Sequence, residues 1–166
     1  HPERCGDQIM ALPRIMKLNE AGQVEWDVPA EYEALKSNER HLGGLKIAKG
    51  SSQRVSGVSG EFLQVELNLP PLRERLEIRV LESDDGTEYA AIVIDPKEKT
   101  LSIDSSRIGK RSEVCNYFPL WWLTTPPPTR TISVQTAPLE TDLTQGLRLK
   151  LFLDRSIVEV FISGGQ

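Results

Sequence analysis

The stretch Leu151–Phe161 reads LFLDRSIVEVF and contains the change of pattern that decides the fold. Leucines occupy the odd positions from 147 to 153, whereas valine and isoleucine occupy the even positions from 158 to 162. Successive side chains of a strand point to opposite faces, so this change of phase indicates a tight turn. The stretch therefore predicts two core strands joined by a hairpin turn at Asp154, Arg155 and Ser156.

The same two-residue period recurs along the chain. Apolar and polar residues alternate in FLQVELNL from Phe62, in RLEIRVLE from Arg75 and, over a shorter length, in TISVQT from Thr131. This alternation is typical of antiparallel strands that are buried on one face. The turn sequences SDDG at 83–86 and DPKE at 95–98 separate further strands, so residues 76–104 are predicted to form a three-stranded meander.

These patterns predict an all-β fold, a two-sheet antiparallel β-sandwich of the jelly-roll or concanavalin-like kind. One short helix is expected at Pro29–Lys36, where a proline precedes good helix formers. Residues 1–36 are interpreted as an arm or linker with this helix, packing onto a sandwich formed by residues 37–166. The Pro126–Pro128 run is an extended loop, because prolines are not tolerated in a central strand.

Composition and charge exclude several classes of function. The chain has 166 residues and a net charge of −4, which argues against nucleic acid as a partner because phosphate binding needs a basic surface. No apolar run approaches the ~18 residues of a membrane span. No His, Cys or Asp cluster has metal-ligand spacing, and no nucleotide motif occurs, so no metal or cofactor is expected. The sequence is compatible with one disulfide between Cys5 and Cys115 or with two buried thiols.

Asp154 and Glu159 are the candidate carboxylates for sugar hydrolysis. Glycosidases hold their two carboxyl groups ~5–5.5 Å apart when retaining and ~6.5–9.5 Å apart when inverting. On one straight strand these two residues would lie ~16 Å apart on opposite faces. A turn would shorten that distance, yet the pattern favours a structural role, with Asp154 and Ser156 bonding turn amides and Arg155 exposed or paired. Glu159 is then expected on the face opposite Val158.

The adjacent pair Trp121 and Trp122 is the candidate ligand-binding feature. An aromatic ring can stack on a sugar, but neighbouring strand residues point to opposite faces, so at most one of the two could do so. Burial in the core or under the proline-rich loop is the alternative that the sequence favours, because large aromatic residues usually serve cores.

The stretch LRLKLFLDRSIVEVFISGG, residues 147–165, resembles a signature late in the C-terminal β-sandwich of glycoside hydrolase family 32. That family comprises the β-fructofuranosidases, and its pattern reads approximately L-R-V-F-V-D-R-S-S-V-E-V-F. Asp154, Arg155, Ser156, Glu159 and Phe161 match it and are interpreted as structural signature residues.

Two further segments resemble the family in the expected order. Ala11–Lys36 resembles the stretch that leaves the catalytic propeller, and LSIDSSRIG, from Leu101 to Gly109, resembles a mid-domain segment. The family's catalytic strings W-M-N-D-P-N-G, R-D-P and E-C do not occur here, so the resemblance carries no catalytic residue onto this chain. It also implies that the family's last strand is missing, which would leave a sheet edge open.

The resemblance implies a non-catalytic sandwich module of an enzyme that cleaves β-fructofuranosidic bonds in sucrose or fructans. Such a module would pack on the propeller catalytic domain of the same protein, stabilise it and mediate contacts in a homo-oligomer. The alternative is a carbohydrate-binding module that stacks a sugar on Trp121 or Trp122. The residues do not reveal the compartment, and the resemblance favours a secreted or vacuolar location over a cytoplasmic one.

Overall fold

All the strands that the structure describes pair with their neighbours in the antiparallel sense. The computed structural model describes residues 10–20, 22, 24–108, 133–155 and 157–162. These residues contain nine strands and two short 3₁₀ helices, so the all-β class predicted from the sequence is confirmed. They divide into two compact units, one of residues 70–146 and one of residues 10–69 with 147–162.

The unit of residues 70–146 contains a four-stranded sheet. Its strands are β4 (Leu76–Val80), β5 (Tyr89–Asp95), β6 (Thr100–Arg107) and β7 (Val134–Pro138), which lie side by side in chain order. The predicted three-stranded meander is therefore confirmed, with β7 added at its edge. The inner face of the sheet is apolar and is nearly inaccessible at Ala90, Ile92, Ile94 and Leu101.

Local hydrogen bonds explain why the chain turns where the meander requires it. The Asp85 carboxylate accepts bonds from the Ser83 hydroxyl and from the backbone and hydroxyl of Thr87. These bonds hold the pKa of Asp85 at about 2 and close the β4–β5 connection together with Gly86, whose φ is +70°. In the β5–β6 turn the Asp95 carboxylate accepts bonds from the amides of Lys97 and Glu98.

The strand β7 departs from the sequence pattern. The alternation in TISVQT suggested a half-buried strand, but all five residues of Val134–Pro138 are exposed. Among the described strands, β7 pairs with β6 alone, through a register that includes a hydroxyl bond of 2.8 Å between Ser102 and Thr136. An edge position also accommodates Pro138, because a proline cannot donate to a further strand. Ile132 lies outside the described residues.

The second unit contains the sheet that the opening stretch predicts. β8 (Leu147–Asp154) lies between β3 (Phe62–Leu69) and β9 (Ile157–Ile162). Asp154 pairs with Ile157, so a connection of two residues joins β8 to β9, and the predicted hairpin is confirmed. The inner face buries the four β8 leucines Leu147, Leu149, Leu151 and Leu153.

The N-terminal part of this unit begins with a separate two-stranded hairpin. It consists of β1 (Ile15–Leu18) and β2 (Val24–Asp27). A six-residue 3₁₀ helix, Ala30–Leu35, follows where the sequence predicted a short helix. Pro29 precedes it in an extended conformation, and no side chain caps its first turn, which explains why only a short, tight helix forms. The other 3₁₀ helix, Leu143–Gln145, lies in the first unit.

Candidate functional site

Charged and aromatic side chains collect on the outer face of the β3–β8–β9 sheet, opposite the buried leucines. Strand register places these residues on one side of the sheet because residues paired across strands share a face. We call this side the polar face of the sheet, and its members are Phe62, Gln64, Glu66, Asn68, Arg148, Lys150, Phe152, Asp154, Ile157, Glu159 and Phe161.

Glu159 is the central residue of the polar face. Its Oε1 accepts a hydrogen bond of 2.7 Å from the backbone amide of Leu12, and its Oε2 accepts one of 2.8 Å from Nη2 of Arg14. Glu159 is the one buried charged residue among those described, with 8% of its surface exposed. The guanidinium of Arg14 also lies 5.4 Å from the centre of the Phe161 ring. Both carboxylate oxygens therefore hold the arm onto the sheet.

Aromatic contacts hold the arm at a second point. Tyr32, in the 3₁₀ helix, meets the Phe152 ring edge to face, with a centroid distance of 6.3 Å. Phe152 meets Phe161 in the same manner at 5.6 Å. T-shaped contacts of this kind are favourable beyond the area that they bury. These ring contacts attach the 3₁₀ helix to β8, and through Phe152 to β9.

Glu66 forms the second charged cluster on the polar face. Nη2 of Arg148 donates to it at 2.6 Å and Nζ of Lys36 at 3.1 Å, while Lys36 also contacts Glu33. The bond from Arg148, followed by that from Lys36, lowers the pKa of Glu66 to about 2. Lys36 directly follows the 3₁₀ helix, so this cluster attaches the end of the arm to β3 and β8.

The lowered pKa of Glu66 predicts a measurable acid dependence of stability. A carboxylate with a depressed pKa stabilises the folded state fully above pH 4.5, and this contribution is lost as the pH falls through 2. The side chain is 29% exposed, so we expect only about 1–2 kcal/mol after solvent screening. Urea denaturation at pH 6 and pH 2.5 should therefore show a smaller difference for Glu66→Gln than for the unmodified chain.

Glu31→Gln is the control for this measurement, because Glu31 is an exposed glutamate of the same 3₁₀ helix. Its acid dependence should match that of the unmodified chain. Equal acid dependence in Glu66→Gln and Glu31→Gln would contradict the assignment of the effect to the Arg148–Glu66–Lys36 cluster.

The candidate carboxylate pair lies closer together than a straight strand would allow. The hairpin places Asp154 and Glu159 on the same face as diagonal neighbours, for which ~7–8 Å is usual. That separation is of the order found in inverting glycosidases. The pairing of Glu159 with Arg14 and the Leu12 amide engages both of its oxygens, whereas Asp154 is exposed. A free acid and base facing a common cleft is not formed here, which supports a structural role.

The other signature residues lie at the turn and on the polar face. Arg155 has a φ of +50°, and its amide donates to the carbonyl of Glu61 at 2.8 Å. Its guanidinium is exposed and lies 3.7 Å from the Glu61 carboxylate and 5.5 Å from the Phe62 ring. Ser156 lies outside the described residues. Arg155 thus secures the tip of the hairpin to the start of β3.

The remaining sequence-predicted features are not described by the structure. Trp121, Trp122, Cys5 and Cys115 all lie outside the described residues, so their roles stay predictions. Among the residues that are described, no group of three or more His, Cys, Asp or Glu could hold a metal ion. In the same part of the chain, no helix has the length and apolar character needed to cross a membrane.

The outer face of the β4–β7 sheet carries a second polar surface that the sequence did not reveal. Tyr89 lies between two guanidinium groups, at 4.3 Å from that of Arg79 and 5.5 Å from that of Arg107. Nearby is a shallow cleft of about 170 Å³, smaller than the ~300–1,000 Å³ of small-molecule pockets. It is lined by Arg75, Val93, Asp95, Thr100, Ser102, Asp104 and Val134. The size of this cleft does not favour a small-molecule site.

Arg14, Lys36 and Tyr32 are the functional contacts that sequence reasoning missed. Arg14 belongs to the L-P-R string that resembles the stretch leaving a catalytic domain, which is the only signal that singled out its segment. The partner of Arg14 lies 145 positions away, and the partner of Tyr32 is on β8. Neither pairing can be predicted from the alternation of apolar and polar residues along a single strand.

Comparisons with known proteins agree with the all-β architecture described above. No curated protein shows significant similarity to the chain. The exo-inulinase from Aspergillus awamori has a similar structure, with a TM-score of 0.67 and 24% identity. The match covers 93% of this chain but only 28% of the exo-inulinase chain, and it supports the predicted β-sandwich fold. The family model for the C-terminal part of glycosyl hydrolases family 32 matches residues 31–166. The chain therefore belongs to the family of C-terminal domains of glycosyl hydrolases family 32.

Proposed function

We propose that this chain is a non-catalytic module that stabilises the catalytic domain of an enzyme cleaving β-fructofuranosidic bonds. A C-terminal domain of this family implies a linked catalytic domain in the parent protein. The observation that carries the proposal is the state of Glu159, the buried carboxylate of the signature, which binds Arg14 and the Leu12 amide. Both oxygens of the Glu159 carboxylate therefore serve to attach the arm to the sheet.

The substrate class rests on the family and on the structural neighbour. That neighbour is an exo-inulinase, which supports a parent enzyme that acts on inulin or related fructosides. The chain spans 28% of the neighbour's length, so most of that enzyme lies outside the region of similarity. Contacts within a homo-oligomer are a further part of the proposed role, and sugar binding at Trp121 or Trp122 stays a prediction.

Activity assays test the non-catalytic part of the proposal. We expect the purified 166-residue chain to release no fructose from sucrose or inulin, while the parent protein releases it under the same conditions. The parent with Glu159→Gln should keep its turnover number at a temperature where it is fully folded, because Glu159 lies in the module. Fructose release by the isolated chain would contradict the proposal.

Truncation tests the stabilising part. A parent protein that ends before residue 1 of this chain is expected to lose catalytic activity at a lower temperature than the complete parent, because the module no longer contacts the catalytic domain. Thermal unfolding followed by calorimetry on both proteins provides the comparison. Equal inactivation temperatures would overturn the stabilising role and leave the family assignment intact.

A further inference from the structure

The β1–β2 hairpin exposes one entirely apolar face. Strand register pairs Met16 with Trp26 and Leu18 with Val24, so these four side chains share a side of the hairpin. Their exposed fractions are 64%, 41%, 71% and 49%. We call this side the apolar face of the hairpin. Its opposite side carries the Lys17–Glu25 pair together with Ile15 and Asp27.

The apolar face needs a partner for physical reasons. A two-stranded hairpin is only marginally stable in water unless it is extended or packed against another element. A contiguous exposed apolar surface is a mark of an interaction site, whereas isolated exposed apolar residues are ordinary. Trp26 is the kind of residue that dominates binding energy when it is buried at an interface.

Uncovered apolar surface is concentrated in the same part of the chain. Of the fourteen large hydrophobic side chains found exposed among the described residues, twelve lie between residues 10 and 62. Only Ile108 and Val134 lie elsewhere. The surface that lacks cover therefore belongs to the N-terminal part of this unit, which begins with the hairpin.

The family match indicates which part of the parent protein covers the apolar face of the hairpin. The matched C-terminal model begins at residue 31, after the hairpin has ended at Asp27. The catalytic domain that a C-terminal domain implies precedes that region in the same polypeptide. The hairpin thus lies on the connection between the two, where covalent linkage gives a high effective concentration for docking.

We propose that the apolar face of the hairpin, formed by Met16, Leu18, Val24 and Trp26, is the docking surface for the linked catalytic domain. This inference rests on the proposed function and identifies the contact through which it is exerted. Charged residues such as Lys17 and Glu25 lie on the other side of the hairpin, so its two sides differ in polarity.

The contacts on either side of the hairpin explain how a domain docked on the hairpin is connected to the rest of the unit. Leu12 and Arg14, just before β1, bind Glu159 of β9. Tyr32, just after β2, packs on Phe152 of β8. The hairpin is therefore attached to the β3–β8–β9 sheet through both of its ends, so a domain docked on it is held by the module.

The test uses the complete parent protein with the double variant Leu18→Lys/Val24→Lys. These two residues are paired and largely exposed here, so lysine is compatible with the hairpin itself. In the parent, two ammonium groups placed in an apolar interface should lower the unfolding temperature by about 5 °C or more. Amide hydrogen exchange in β1 and β2 should become at least about tenfold faster.

The control is Lys17→Gln/Glu25→Gln, which removes two charges on the opposite face, where the exposed contact of Lys17 with Asp27 at 3.8 Å contributes little to stability. It should leave both measurements unchanged. Should the double lysine variant fail to accumulate, Leu18→Ala/Val24→Ala should show a smaller shift in the same direction. An unfolding temperature and exchange rates equal to those of the control would overturn the inference.

Two further outcomes separate this inference from others. If the lysine variant changes the protein from a dimer to a monomer in light scattering, with the catalytic domain's exchange rates unchanged, a second copy of the chain covers the face and the inference fails. If truncation of the whole module destabilises the parent but the lysine variant does not, the proposed function stands while this docking surface is wrong. If truncation of the whole module leaves the stability of the parent unchanged, the proposed stabilising role is wrong, and the docking surface that rests on it is wrong as well.

Discussion

Replacing Leu149 by alanine should lower the free energy of unfolding by about 3 kcal/mol. Leu149 is fully buried in the central strand β8, where it pairs with Leu67 on one side and Ile162 on the other. A central strand has neighbours on both edges, so the surrounding side chains can collapse only partly into the space that the leucine leaves. Urea denaturation should show a lower midpoint with an unchanged slope.

Leu35→Ala is the matched control for Leu149→Ala. The same atoms are removed, but Leu35 is 76% exposed at the end of the 3₁₀ helix. Its loss should stay within about 0.5 kcal/mol, as for most surface substitutions. Similar losses for the two variants would mean that β8 is not the centre of the core of this unit.

Leu149 also illustrates what the sequence allows one to predict. The leucines at odd positions of β8 and the apolar residues at even positions of β9 define a local pattern, and its change of phase indicates a turn such as the one observed. The meander β4–β5–β6 is predictable for the same reason, because its turns are marked by Asp85-Gly86 and Asp95-Pro96.

The contacts of the polar face could not be predicted in this way. Arg14 and Glu159 are 145 positions apart, and Glu66 and Arg148 are 82 apart. The alternation of β9 correctly placed Glu159 on the face opposite Val158, but any arginine or lysine of the chain could have been its partner. The path of the arm across the sheet decides which charged side chains come into contact. The alternation of apolar and polar residues along one strand does not determine that path.

Exposure of a strand is likewise not a local property. The alternation around Val134 predicted a half-buried strand, yet β7 is exposed along its length. The period of a strand specifies which residues share a face, whereas burial depends on what covers that face. The hairpin β1–β2 shows the same point, since its apolar side is fully patterned for burial while Leu18 is 71% exposed.

Replacing Glu159 by alanine should lower the free energy of unfolding by about 2–3 kcal/mol. The substitution leaves the Leu12 amide without its acceptor and Arg14 without its counter-charge. The Arg14 side chain is 43% exposed and can turn towards water, so the loss stays below that of a fully buried ion pair. Urea denaturation of the variant and the unmodified chain at neutral pH measures the difference.

The exposed pair Glu77–Arg79 supplies the control, because its bond has the same length of 2.8 Å and its arginine is similarly exposed at 40%. Its carboxylate is 34% exposed, against 9% for the Glu159 side chain, so Glu77→Ala should change stability too little to measure. In a double-mutant cycle, Arg14→Ala and Glu159→Ala together should cost less than the sum of their separate losses, by about 1–2 kcal/mol. Strictly additive losses would mean that Arg14 and Glu159 act independently, and the arm would then be held by the aromatic contact of Tyr32 with Phe152.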